Sequence, residues 1–260
     1  MIWDFDAVAF SLFGLDVRWY GLSYILGFFL MLWIGFRLQK KSLKPAWSKE
    51  SFENMLVGLF MSGVLGGRLG FFLFYSPEVL WQAPVEILKI WQGGMSIHGG
   101  LLGGGAWLCF VAYKEKYKFL SLTDVLVIPL SLALMFGRLA NFLNGELVGT
   151  PTDQTWGMIF PHIDDLYRHP SQLYEMAKNA SLFLILNKLF AQKMWKKRGF
   201  LTGAFLLGYG VLRFLIEFVR EPDGLYWGIS TGQWLCIIMM LVSFWLFRQT
   251  KTDRLPQNSL

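Results

Sequence analysis

Ionisable side chains placed inside apolar runs are the first chemistry that this 260-residue sequence offers. Arg68 sits in Gly67-Arg68-Leu69-Gly70 and Arg138 in Gly137-Arg138-Leu139-Ala140-Asn141, while Tyr209, Arg213 and Glu217 recur at i, i+4 and i+8 on one helix face. A cation near the middle of a bilayer costs about 2.5–3.5 kcal/mol on insertion scales and less toward the interface, so such residues usually mark a ligand pathway or a paired site. His98, in Ser96-Ile97-His98-Gly99-Gly100, adds an imidazole, the side-chain type suited to proton transfer near neutral pH. Each has a plainer reading beside the chemical one. Arg138 can snorkel to an interface, Arg213 can form a structural pair with Glu217, Arg68 can serve helix packing, and His98 can be an ordinary interfacial group. His162 and His169 lack Cys or His partners at metal-ligand spacing, so neither a metal nor another cofactor is expected.

The elements that must position these groups are membrane helices. The chain is 54% hydrophobic and 17% aromatic, with mean hydropathy +0.42, which is more apolar surface than one soluble core can hide. A formal charge of +6 does not point to nucleic acid, because the basic residues form short clusters between apolar runs. Runs able to cross a hydrocarbon core of ~30 Å can be drawn at about 17–38, 52–74, 96–113, 122–141, 174–191, 199–219 and 233–247. Basic clusters follow alternate runs: Arg37, Lys40, Lys41, Lys44 and Lys49; Lys114, Lys116 and Lys118; Lys193, Lys196, Lys197 and Arg198; Arg248, Lys251 and Arg254. By the positive-inside rule these clusters face the cytoplasm. The expected fold is therefore all-α, a polytopic membrane bundle of seven transmembrane helices with its N-terminus outside and its C-terminus cytoplasmic.

The whole chain, 1–260, reads as a single integral membrane domain, within which about 142–173, rich in Gly and Pro, forms a small extracytoplasmic cap. Asp4 and Asp6 stand where a signal peptide carries positive charge, so the N-terminus is expected to be retained. Cys109 and Cys236 fall in apolar runs at opposite depths, which argues against a disulfide.

On this topology the polar groups converge. Arg68 and Arg213 each lie about 9 Å below the outer end of an outward-running span, at 1.5 Å per residue. Arg138 and Asn141 end the fourth span on the same side, His98 opens the third and Tyr20 the first. Gly63, Gly66, Gly67 and Gly70 on the second span, and Gly99, Gly100, Gly103, Gly104 and Gly105 on the third, follow the small-residue spacings that let membrane helices approach closely. Several insertion costs concentrated in one layer point to a site toward the outer leaflet.

The stretch Gly137-Arg138-Leu139-Ala140-Asn141-Phe142-Leu143-Asn144-Gly145-Glu146-Leu147-Val148-Gly149 strongly resembles the signature of the bacterial prolipoprotein diacylglyceryl transferases. The similarity extends to Arg18-Trp19-Tyr20-Gly21-Leu22, Gly67-Arg68-Leu69-Gly70, Gly93-Gly94-Met95-Ser96-Ile97-His98-Gly99-Gly100, Arg168-His169-Pro170-Ser171-Gln172-Leu173-Tyr174-Glu175, Arg213-Phe214 and Glu217-Phe218-Val219-Arg220-Glu221-Pro222-Asp223. The resemblance implies a seven-helix enzyme of the bacterial inner membrane, with phosphatidylglycerol and the lipobox signal peptides of prolipoproteins as partners. Its members transfer the diacylglyceryl group of phosphatidylglycerol to the lipobox cysteine thiol, forming a thioether and releasing glycerol phosphate, the first step of lipoprotein maturation.

With that substrate, the residue types suggest roles. Arg138 and Arg213 can clamp the phosphodiester with planar, permanently charged donors and stabilise the departing glycerol phosphate. Asn141 and Glu146 can bond head-group hydroxyls or position Arg138, and Glu217 can orient Arg213. Gly149, from the signature, and Arg68 join the substrate-binding set. A thiol of pKa ~8.5 is mostly protonated at neutral pH, and His98 can accept its proton. Tyr209 and Tyr20 can position the head group or relay a proton. Two rival readings remain at this point: a small-solute transporter, opposed by polar residues gathered on one side only, and a non-catalytic scaffold for anionic lipid, opposed only by the resemblance.

Overall fold

Backbone groups inside a hydrocarbon layer must bond within their own segment, and this sequence meets that demand with helices. The computed structural model describes residues 1–12, 15–89, 93–221 and 224–250; Pro222, Asp223, Lys251 and Arg254 of the sequence reading lie outside the described residues. A hairpin of β1 (Val8–Leu12) and β2 (Leu15–Arg18) leads into α1 (Trp19–Ser42), then α2 (Lys49–Tyr75), the short α3 (Val79–Gln82), α4 (Ile97–Lys114), α5 (Phe119–Leu143), α6 (Ser171–Ala191) and α7 (Phe200–Ile216). A small hairpin of β3 (Leu225–Tyr226) and β4 (Ile229–Ser230) precedes α8 (Thr231–Gln249).

Each apolar run drawn from the sequence falls on a long helix within a few residues. Of these, α1, α2, α5, α7 extended to Val219, and α8 are long and apolar enough to cross a membrane. The helices α4 and α6 stand outside that set, since α4 opens with His98 and a glycine series and α6 carries Gln172, Glu175, Lys178 and Asn179. Leu, Phe and Trp side chains such as Phe29, Trp33, Leu101, Leu102, Phe110, Leu184 and Trp245 are exposed along the helices, the surface that lipid covers in an all-α membrane protein.

Contacts divide the chain into two compact units, Met1–Ser42 with Thr123–Leu260, and Leu43–Leu122. In the second unit α2 and α4 meet glycine on glycine. A Cβ on Gly70 would stand 2.7 Å from the Gly99 Cα, and one on Gly99 would stand 2.9 Å from the Gly70 Cα, so any larger residue forces the helices apart. The Trp107 indole donates to the Met55 carbonyl at 2.9 Å across the same pair. Cys109 and Cys236 are both free.

In the first unit Asp124, near the start of α5, accepts from the Gly199 and Thr202 amides at 2.6 and 2.7 Å and so caps α7 from a neighbouring helix. The segment between α5 and α6 folds over a cluster of Phe142, Val148, Met158 and Phe160, against which Trp3 and Leu173 pack. Trp3 donates its indole N–H to the Phe142 carbonyl and its amide to the Ile159 carbonyl. The first residues of the chain thus pack with the segment between α5 and α6, a role the sequence reading did not assign them. Antiparallel bridges join Pro151 and Met158 to Arg168, and Gly149 to Arg220.

Candidate active site

The α6 residue Glu175 is the centre of the polar cluster in the first unit, and its side chain has no exposed surface. A buried carboxylate persists only with partners, and among the described residues Glu175 has three. Lys178, one turn on, places Nζ 2.6 Å from Oε2; the Arg138 Nε of α5 lies 3.6 Å from the same oxygen; the Arg213 Nε of α7 lies 3.2 Å from Oε1. Three helices therefore deliver cations to one carboxylate.

The outer ring of this cluster comes from α7 and its continuation. Glu217 pairs with the Arg213 Nη1, as the i, i+4 spacing implied, and its other oxygen accepts from the Ser230 hydroxyl at 2.9 Å. Tyr209 packs on this cluster, its ring 3.5 Å from the Lys178 ammonium. Arg220 makes no ion pair among the described residues. Burial first, then the fields of Arg213 and Arg138, hold its guanidinium below its usual basicity, although an arginine remains charged at neutral pH.

The signature residues at the end of α5 and beyond it form a second shelf. Asn141, buried, donates to Glu146 at 3.4 Å, and Asn144 donates to the other oxygen at 3.3 Å. Gln172 and Ser171, at the start of α6, bind the Glu146 and Leu147 carbonyls at 2.6 and 2.8 Å. Gly149 has a steric reason to be glycine: a Cβ there would meet the His169 Cβ at 2.7 Å and its carbonyl at 2.8 Å. Its own carbonyl accepts from Arg168 at 3.1 Å. Arg168 is buried and also grips Asp164 and Glu221, each at 2.6 Å. Its hydrogen bonds hold the Asp164 carboxyl below the usual carboxylate range. On α1 the Tyr24 hydroxyl donates to that of Tyr20 at 3.1 Å, and Tyr24 lies within electrostatic range of Arg138 and Glu146.

Two candidates belong to the other unit. Arg68 is buried and donates to the backbone carbonyls of Glu86, Ile87, Lys89, Gly93 and Gly94, so its fork is occupied in holding the segment before α4. His98 is exposed in the first turn of α4, which Ser96 caps by accepting from the Gly99 amide. The structure thus gathers Arg138 on α5, Tyr209 and Arg213 on α7 and Glu217 just past α7, with Asn141 in the last turn of α5 and Glu146 and Gly149 beyond it. Glu175, Lys178, Arg220 and Tyr24 were absent from the sequence-derived set. A signal for two of them existed, since Glu175 and Lys178 are ionisable residues inside a drawn span.

Fold and site define a helical membrane protein in which arginines from several helices share buried carboxylates. A profile of the prolipoprotein diacylglyceryl transferase family matches residues 7–248. A phosphatidylglycerol–prolipoprotein diacylglyceryl transferase of Polynucleobacter asymbioticus is 42% identical over 257 residues, spanning 96% of this chain and 98% of that one. The protein of the same name from Nitrosomonas europaea is 44% identical over 254 residues, 94% and 91% of the two chains, and that from Pseudoalteromonas atlantica 42% over 259 residues, 95% and 91%. The chain belongs to the prolipoprotein diacylglyceryl transferase family.

Proposed function

We propose that Arg138 and Arg213 clamp the phosphodiester of phosphatidylglycerol while its diacylglyceryl group passes to the lipobox cysteine of a prolipoprotein. The chain is a transferase of lipoprotein biosynthesis, and this transfer is the first step of lipoprotein maturation. The observation that best supports the clamp is the charge balance around α6. Arg138, Lys178, Arg213 and Arg220 face two buried carboxylates, Glu175 and Glu217, so a surplus of positive charge is held where water is scarce. An anionic phosphodiester restores neutrality there, and the guanidinium forks match its oxygens.

In the reaction the cysteine sulfur bonds to the glyceryl carbon, the carbon–oxygen bond to phosphate breaks, and its electron pair leaves with glycerol phosphate. Negative charge builds on the departing phosphate, where pre-positioned cations stabilise it. The thiol proton goes to a base, the role assigned to His98. Asn141, Glu146 and Tyr20 are assigned to the head-group hydroxyls, Tyr209 and Glu217 to the orientation of Arg138 and Arg213, Gly149 to the close backbone packing beside the signature loop, and Arg68 to holding the segment that leads into α4.

The alternation of basic clusters supports seven spans, an outer N-terminus, a cytoplasmic C-terminus, and a site toward the outer leaflet of the bacterial inner membrane. A reporter fused after Leu260 should be cytoplasmic, and an extracytoplasmic reporter would refute this orientation. For the reaction, purified protein supplied with phosphatidylglycerol and a lipobox cysteine peptide should yield a thioether-linked diacylglyceryl peptide together with glycerol phosphate. Lipid binding without transfer would leave only an anionic-lipid scaffold.

A further inference from the structure

We infer that Lys178 is a positioning residue for the lipid anion, the counter-ion that keeps Glu175 from drawing the charge of Arg138 and Arg213 away from the substrate. The inference rests on the arginine clamp proposed above and extends it to a residue that cannot itself reach the lipid. Lys178 is 4% exposed, its ammonium is covered by the Tyr209 ring at 3.5 Å, and among the described residues its ion pair is with Glu175.

The distances rank the partners of that carboxylate. Lys178 approaches at 2.6 Å, ahead of Arg213 at 3.2 Å and Arg138 at 3.6 Å, and pair energies fall as the inverse of distance. The lysine therefore takes the largest share of the Glu175 charge. Both arginines meet Glu175 through Nε, the inner edge of the guanidinium, so the carboxylate aims them without holding their outer nitrogens. Without the lysine charge, the full negative charge of Glu175 falls on the two arginines. They collapse inward, and the site presents one positive charge fewer to a phosphodiester.

The test uses the full-length protein in detergent, with transfer rate followed against phosphatidylglycerol concentration at saturating lipobox peptide. Lys178→Met should raise the KM for the lipid about tenfold, as loss of one charge near a buried anion site implies, with kcat changed far less. The double variant Lys178→Met/Glu175→Gln removes the uncompensated carboxylate as well and should bring KM back toward the parental value, even with kcat lowered by the loss of the anchor. A packing role predicts the opposite pattern, a lower active fraction without a KM shift and a double variant no better than the single. An unchanged KM in Lys178→Met, or no return in the double variant, overturns the inference. Should Lys178→Met not fold, Lys178→Gln, which keeps a donor to Glu175 without the charge, carries the same expectation. Parental protein that transfers lipid while Arg138→Ala keeps its lipid KM would instead refute the clamp, which separates the two failures.

Discussion

Arg213 reaches Glu175 across the α6–α7 interface, Nε to Oε1 at 3.2 Å, and the carboxylate it meets has no exposed surface. Breaking a buried pair by removing one partner typically costs about 3–5 kcal/mol, because the other charge is left uncompensated. Glu175→Gln should therefore lower thermal stability and reduce kcat on the order of tenfold or more while leaving lipid KM unchanged or lower, since the arginines keep their charge. Calorimetry and steady-state kinetics on one preparation check both parts. Parental kcat would show that the arginines need no anchor.

Arg138→Lys should lose most of the transfer activity although it keeps the charge. The Lys side chain offers a compact ammonium in place of a planar fork that faces the Glu175 carboxylate and can also take a phosphate. The measurement is the transfer rate at equal amounts of folded protein. A Lys variant as fast as the parent would reduce Arg138 to a snorkelling cation.

His98→Asn and His98→Gln should slow transfer by ~10²–10⁴, the usual worth of general acid–base catalysis. Both variants are assayed from pH 6 to 9 with lipid saturating. Near-parental rates with an unchanged profile would leave thiol activation to the arginine field.

The segment between α5 and α6 should loosen in acid. Arg168 holds the Asp164 carboxyl below its ordinary range. A depressed folded-state pKa contributes stability that is present above the unfolded value, about 4, and is lost as pH falls through the folded value. Hydrogen exchange of residues 158–168 should therefore quicken below about pH 4, and Asp164→Asn should show the faster exchange already at neutral pH. An Asn variant with the parental acid profile would assign the effect to another group.

The sequence by itself determined where the long helices lie, because an apolar run of membrane length has no other stable backbone arrangement. The signature Gly137–Gly149 carried the family, and the i, i+4 spacing carried the Arg213–Glu217 pair. Which helix faces meet was left to the tertiary structure. In a membrane helix the surface toward lipid is as apolar as the surface toward a neighbour, so periodicity gives no direction, and α6 could not be aimed at α5 and α7 from its residues alone. For that reason Glu175 became the shared anchor of Arg138 and Arg213 only once three helices were packed, and Lys178 appeared as its closest partner. Nor did the sequence show what occupies Arg68: its guanidinium is taken up by the backbone carbonyls of Glu86, Ile87, Lys89, Gly93 and Gly94, partners that no helical spacing rule pairs with it.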